Sequence, residues 1–247
     1  MLVLIPARYA SSRLPGKPLA DLGGKPLIQR VYEAVSACPD VETVAVATDD
    51  DRIRLAVEAF GGRAVMTSEK HLSGTDRCAE ALEKLGGGFE LVVNVQGDEP
   101  FVGPEQLMAL GRFMRDNPDF SVGTLVHRIS SVEELENPHV VKAVVGDGGR
   151  RALYFSRSPV PHLRGVPLSD WLQQGHFYRH IGLYAFRGDT LAAMAKMAPT
   201  ALEEMESLEQ LRWLENGLPI GVCETGRLTM GIDTPEDLDR ARILWGK

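Results

Sequence analysis

Cysteine is scarce in this 247-residue chain: Cys38, Cys78 and Cys223 are the three present, far apart and without CxxC or CxxH spacing. An odd, scattered set excludes a disulfide framework or a zinc knuckle as the basis of the fold. Positive charge is also short, with 27 Lys and Arg against 34 Asp and Glu and a net charge of −7. Aromatic residues make up only 6%. Without a basic excess or an aromatic-rich basic stripe, no surface for nucleic acid or anionic membrane is expected, and any anion site must be local. No apolar run approaches the roughly 18 residues that span a bilayer. The opening Met1-Leu2-Val3-Leu4-Ile5 has no basic lead and meets Pro6 and Arg8 too soon for a secretory signal, so a cytoplasmic location is expected.

Two common nucleotide-binding signatures are missing as well. Gly16-Lys17 is followed by Pro18 where a Walker A loop has Ser or Thr, and no GxGxxG follows the first apolar run. P-loop ATPases and Rossmann dehydrogenases therefore lose weight.

What is present reads as a soluble α/β protein, 44% hydrophobic and 25% charged, with enough apolar residues for a sizeable core. Short apolar runs at 2–5, 44–47 and 91–95 alternate with segments of helical period at 26–37, 51–59, 75–85 and 104–115. In the last of these Leu107, Leu110, Phe113 and Met114 share one face. That alternation predicts βαβ units and a parallel sheet, with ligands at the C-terminal ends of the strands. After about residue 140 the pattern changes to strands at 140–145, 152–156 and 181–186, with a turn at Gly146-Asp147-Gly148-Gly149. This predicts an antiparallel insertion over about 140–187. The stretch 159–175 shows no clear period and reads as a long loop, and 207–215 reads as a helix stopped by Gly217. The predicted architecture is a single α/β domain over 1–247: a mixed, mainly parallel sheet sandwiched by helices, with a small antiparallel insertion.

The local exception to the acidic balance is PARYASSRLPGKPL at 6–19, which carries Arg8, Arg13 and Lys17 and no acid in fourteen residues. A strand running into a loop of small residues and fixed cations is an arrangement that neutralises a polyphosphate. The plainer alternative is a basic surface loop with solvated charges.

Together with other segments, this stretch resembles bacterial CMP-Kdo synthetases, the 3-deoxy-manno-octulosonate (Kdo) cytidylyltransferases with a GT-A/Rossmann-like nucleotidyltransferase fold. His71-Leu72-Ser73-Gly74-Thr75-Asp76-Arg77 is similar to that family's HxSGT(D/E)R, Asn94 to Pro100 to NVQGDEP, and Tyr154-Phe155-Ser156-Arg157 to YFSR. His180-Ile181-Gly182-Leu183-Tyr184, Leu208-Glu209-Gln210-Leu211-Arg212 and Gly231-Ile232-Asp233-Thr234-Pro235-Glu236-Asp237-Leu238 follow in the family's order. The resemblance covers nearly the whole chain. It implies transfer of CMP from CTP to the acidic sugar Kdo, giving CMP-Kdo and pyrophosphate for lipopolysaccharide synthesis. It also implies Mg²⁺ as cofactor and a homodimer, with the insertion as interface.

By the same resemblance Arg8, Ser11, Arg13 and Lys17 hold the triphosphate with Gln96 and Gly97, and Arg13 and Lys17 lie nearest the α-phosphate and leaving group. Gly97 lets backbone approach a ligand. Asp98 alone is as readily a turn or cap residue. Asp233, ahead of a helix start with Thr234 as N-cap and Pro235 at N1, supplies a second carboxylate. Two carboxylates converging on phosphates suit Mg²⁺, which takes oxygen ligands and completes its shell with water and phosphate. Resemblance names the same pair as metal ligands.

Ser73, Gly74 and Arg77 are the candidates for the cytosine and ribose, although 73–77 also reads as a helix start at capping-box spacing. For the sugar the candidates are Gln96, Arg157, His180, Tyr184, Glu209 and Gln210. Against these stand ordinary surface roles for Arg157 and Gln210 and a core role for Tyr184. His176 and His180 are four apart, but on a strand that spacing makes no metal site. Asp49-Asp50-Asp51 reads as a strand end and helix N-cap, and Asp147 as a turn residue, none of them catalytic. The 159–175 loop matches no motif. Alternatives kept open are a cytidylyltransferase for sialic acid or an aminated Kdo, and a CTP-binding protein without catalysis.

Overall fold

The computed structural model describes residues 1–10, 14–71 and 73–246. Its first half alternates β1 Leu2–Ala7, α1 Leu27–Ser36, β2 Thr43–Thr48, α2 Asp51–Ala59, β3 Ala64–Met66, α3 Gly74–Lys84, β4 Leu91–Asn94 and α4 Pro104–Asp116. The chain continues with β5 Val122–Arg128, α5 Val132–Glu136, β6 Lys142–Gly146, β7 Arg151–Ser156, α6 Trp171–Gln174, β8 Tyr178–Arg187 and α7 Gly188–Met194. It closes with α8 Ala201–Glu206, α9 Glu209–Glu215, β9 Ile220–Glu224 and α10 Pro235–Trp245. The described residues group into two compact units. The first comprises 1–111, 185–195 and 229–247, and the second 112–184 and 196–228.

In the first unit the strand order is β3-β2-β1-β4, and every pairing is parallel. Every residue of β1 is buried, which is why it reads as an unbroken apolar run: a central parallel strand is covered on both faces. α1 buries Leu27, Ile28, Val31 and Val35, one stripe of helical period. Asp50 caps α2 by accepting from Arg52 N at 2.9 Å, and Asp51 sits in the first turn, as the acidic triple predicts. Strand β1 has β2 on one side and β4 on the other, so the chain reverses direction across the sheet between β1 and β4. In open α/β sheets a ligand crevice forms at such a switch point, beyond the strands' C-terminal ends. A small separate core of Leu22, Leu27, Ile232, Leu238 and Ala241, with Leu14, Phe101 and Trp245 against it, joins the segment after β1 to the start of α10. It brings two distant parts of the sequence to the same rim.

The second unit holds the antiparallel strands expected from the sequence. β6 and β7 form a hairpin running from Lys142↔Ser156 to Gly146↔Arg151, and β6 also pairs antiparallel with β8. β5 and β9, which the hydrophobic pattern did not single out, pair in parallel. The order β8-β5-β9-β7-β6 returns to β8 through the β6–β8 pairing, leaving the strands few open edges. β9 escapes a pattern search because Gly221 interrupts it. A Cβ there would lie 2.5 Å from Phe113 and 2.9 Å from Phe120, so the ring packing excludes a side chain.

The 159–175 stretch is not the bare loop expected. It contains a 3-10 turn at Leu168–Asp170 and then α6. Trp171 is buried and stacks on Phe177 at 5.5 Å, in a core with Ile129 and Leu135 against which Leu163, Val166, Leu168 and Leu172 pack. These apolar residues surround one indole ring from several directions and therefore show no single period.

Candidate active site

The pocket of interest lies at the switch point of the first unit. β1 runs out into Pro6, Ala7 and Arg8, and β4 into Gln96, Gly97 and Asp98. These residues line a cavity of about 280 Å³ together with Lys17, Pro18, His71, Ser73, Gly74, Arg77 and Asp233. Gly97 is there for space: a Cβ at this position would stand 3.0 Å from the Pro6 carbonyl oxygen. Gln96 turns its amide Nε2 toward Asn94 Oδ1 at 3.4 Å.

At one part of the wall Lys17 reaches both predicted metal ligands. Its ammonium donates to Asp98 Oδ2 at 2.5 Å and to Asp233 Oδ1 at 3.1 Å, although these residues are 135 positions apart in sequence. The backbone sets up the meeting. Ile232 N donates to Asp98 O at 2.9 Å, tying the two acidic loops together. Thr234 and Asp237 then form a capping box at the start of α10, and Asp237 Oδ2 also accepts from Asp233 N at 3.1 Å. Burial works against the charge on Lys17, but Asp98 and Asp233 outweigh it and raise its pKa above the ordinary value. The ammonium is thus a stand-in cation: carboxylate oxygens from two loops converge on one positive centre. A hard divalent ion that takes two protein oxygens and fills its shell with phosphate and water fits this donor set.

Elsewhere along the wall the first turn of α3 supplies Ser73, Gly74 and Arg77. Ser73 caps the helix by accepting from Asp76 N at 3.1 Å, so the helix-start reading holds while Ser73 also lines the pocket. Arg77 is 4% exposed, and its guanidinium donates to Thr67 Oγ1 at 2.7 Å and Asp49 Oδ2 at 2.8 Å. Asp49, which the sequence reading left as a strand end, therefore holds Arg77 in place from the end of β2. His71 is a further wall residue the sequence reading passed over, although it leads the same motif. Its Nε2 bonds Glu80 Oε2, which also accepts from Ser68 N. Burial raises the pKa of Glu80, but Lys84, the Ser68 N–H and His71 overcome this and bring it down to about 2. Arg8 is exposed at the pocket. Ser11 and Arg13 lie outside the described residues.

The remaining sugar candidates belong to the second unit. Arg157 spends its guanidinium on backbone carbonyls: Nε to Glu206 O at 2.7 Å, Nη1 to Pro138 O at 3.1 Å and Nη2 to Ser207 O at 3.3 Å. The Arg157 carbonyl in turn accepts from the buried Lys142 ammonium at 2.5 Å. Burial lowers the pKa of Lys142, with Glu206 pulling the other way and Arg157 adding to the decrease. His180, Tyr184 and Trp213 form a ring cluster, His180 to Tyr184 at 5.3 Å and Tyr184 to Trp213 at 4.9 Å. Burial, and then Glu209, raise the pKa of the Tyr184 hydroxyl. Gln210 is buried and Glu209 partly so, both in the first turn of α9. The first unit thus gathers Arg8, Lys17, Ser73, Gly74, Arg77, Gln96, Gly97, Asp98 and Asp233 on one pocket, and the second gathers His180 and Tyr184 in one cluster.

A family model described as cytidylyltransferase matches residues 2–223. The 3-deoxy-manno-octulosonate cytidylyltransferase of Parabacteroides distasonis is 52% identical over 242 residues, covering 96% of this chain and 95% of that protein. The enzyme of the same name from Phocaeicola vulgatus is 54% identical over 241 residues, covering 96% and 94%. This chain belongs to the 3-deoxy-manno-octulosonate cytidylyltransferase family. A solved structure of a CMP:2-keto-3-deoxy-manno-octonic acid synthetase complexed with CTP superposes with a TM-score of 0.91 at 44% identity, covering 99% of this chain and 98% of that one. The family's nucleotidyltransferase fold, a mixed sheet with helices, is the fold described above.

Proposed function

We propose that this family member transfers CMP from CTP to the anomeric 2-hydroxyl of Kdo, releasing pyrophosphate and supplying CMP-Kdo for lipopolysaccharide synthesis. The observation that carries the reading is the convergence of Lys17, Asp98 and Asp233 at the β1–β4 switch point, beside a cavity lined by the remaining nucleotide candidates. The hydroxyl oxygen attacks the α-phosphorus in line, the new O–P bond forms, the bond to the bridging oxygen of the leaving pyrophosphate breaks, and the hydroxyl proton is released to solvent. Lys17, kept charged by its two acids, neutralises the charge that grows on the α-phosphate and leaving group. Asp98 and Asp233 would hold Mg²⁺, which when bound would supply Lewis acidity at the phosphate. Arg77, fixed by Asp49 and Thr67, has donors left over for a cytosine carbonyl. Arg8 adds a cation at the pocket, with Ser11 and Arg13 completing the phosphate loop. Gln96, His180, Tyr184, Glu209 and Gln210 serve the sugar, with Arg157 beside them in the same motif set.

The test is pyrophosphate release from CTP and Mg²⁺ with Kdo, 8-amino-Kdo and sialic acid in parallel. Release with Kdo well above the others is expected. Release only with another sugar acid overturns the substrate, and CTP binding without pyrophosphate from any acceptor overturns the enzyme reading. The same reading includes a homodimer in the cytoplasm, and light scattering showing a monomer at working concentration would contradict the dimer. No helix among the described residues is long and apolar enough to cross a membrane.

A further inference from the structure

His180 on β8 has two ring nitrogens, and its neighbours dictate what each one does. Thr124 on β5 is fully buried. Its hydroxyl has one proton and two β8 carbonyl oxygens within reach: Leu183 O lies 2.8 Å and Ile181 O 3.1 Å from Oγ1. The same Oγ1 lies 2.9 Å from His180 Nε2. A hydroxyl proton given to either carbonyl leaves the Thr124 oxygen to accept from the ring, and that arrangement puts the hydrogen on Nε2. Nδ1 makes no hydrogen bond among the described residues. The ring plane is fixed by an edge contact to Phe155 at 5.0 Å and by Tyr184 at 5.3 Å, and the residue as a whole is only partly buried.

We propose that Thr124 is a positioning residue that locks His180 in the Nε2–H tautomer, so that Nδ1 presents a lone pair to a hydroxyl of the acceptor sugar. Burial, with the charge of Arg179 adding to it, pushes the pKa of His180 down to about 3, so the ring stays uncharged at working pH. It then accepts from a hydroxyl and provides no cation for the sugar's carboxylate. The sugar half of this inference rests on the proposed function, whereas the tautomer half stands on the Thr124 geometry alone.

Two measurements separate the halves. In ¹⁵N-correlated imidazole spectra of the whole protein, His180, assigned by its loss in His180→Asn, is expected to show the Nε2–H tautomer. Thr124→Ser, which keeps the hydroxyl, is expected to preserve it, and Thr124→Val to shift it toward a mixture. In steady-state kinetics Thr124→Val raises the KM for Kdo about tenfold, the worth of one hydrogen bond, and leaves the KM for CTP within twofold. Thr124→Ser restores the Kdo KM. An Nδ1–H signal in the wild type overturns the lock, as does an unchanged tautomer and Kdo KM in Thr124→Val. If Thr124→Val does not fold, the wild-type spectrum and Thr124→Ser decide. Failure of the proposed function appears separately, as wild-type enzyme that turns over no Kdo while its spectrum still shows Nε2–H.

Discussion

The two units handle their charged side chains in opposite ways. In the first, Lys17 pairs with both Asp98 and Asp233 in the wall of a cavity, where all three line the space a ligand would enter. In the second, the cation singled out from the sequence, Arg157, is bound by three carbonyl oxygens of its own chain, and the histidine beside it in the motif order is uncharged. A charge cluster at a strand end that lines a cavity is placed to meet a charged substrate such as a triphosphate. A charge saturated by backbone carbonyls braces the segments that supply them. The contrast teaches that a basic residue in a matching motif does not by itself identify an anion ligand; the partners of its donors decide.

The sharpest way to break the comparison is at Asp98. Asp98→Asn keeps the shape and removes the charge that pairs with Lys17 and that the proposed Mg²⁺ would share, so kcat with CTP, Kdo and Mg²⁺ is expected to fall by at least about 100-fold. The side chain is 26% exposed, so thermal unfolding should move little, and CTP binding by calorimetry should persist. Near-normal turnover with Mg²⁺ would falsify the assignment of this acid pair to the chemical end of the site.

Arg157 sharpens the other side. If its role is to brace the segments at Pro138 and at Glu206-Ser207, Arg157→Ala costs about 2 kcal/mol, since hydrogen bonds to a charged group contribute roughly 1.5–3 kcal/mol. That corresponds to a loss of about 4–8 °C in Tm for a chain of this size. Arg157→Lys should recover little, because a single ammonium does not reproduce three divergent guanidinium bonds. A sugar ligand behaves differently: Tm holds while the KM for Kdo rises, and lysine partly rescues it. Calorimetry on both variants, with Kdo kinetics beside it, separates the two roles.

How far the sequence could be read follows the same division. The strands ending in Ala7 and Asn94, the caps at Asp50, Ser73 and Thr234, and the close approach at Gly97 are local signals, set by residues within a few positions of one another, and they predict most of the first unit. The meeting of Lys17 with Asp98 and Asp233 depends on packing of Leu22 and Leu27 against Ile232 and Leu238, and no local pattern encodes that. The motif resemblance stood in for it. Asp49 and His71 were in plain view, but what they do depends on Arg77 and Glu80, which reach them only in the folded chain. β5, β9 and the Trp171 core were missed because Gly123, Gly221 and a many-sided cluster break the period on which pattern reading relies. Thr124 carried no signal at all: an isolated threonine in an apolar strand means nothing until the two carbonyls and the ring nitrogen around it are known.

The smallest effect tests the claim that the second unit keeps His180 uncharged. In the folded chain His180 has a pKa of about 3, whereas an unfolded histidine titrates near 6.5. Between those values the unfolded state binds the extra proton, so stability is complete above about pH 6.5 and declines as pH falls through the window toward 3. His180→Asn removes that proton from both states. The plot of unfolding free energy against pH between about 6.5 and 5, above the range where most carboxylates titrate, is therefore expected to be flatter in the variant, by up to about one proton. The other five histidines are common to both proteins and cancel in the difference. Parallel plots would mean that the ring protonates in the folded chain as readily as in the unfolded one. A charged ring beside Thr124 would then have hydrogens on both nitrogens, and the distinction between a charged cluster at the first unit's pocket and an uncharged histidine in the second would disappear.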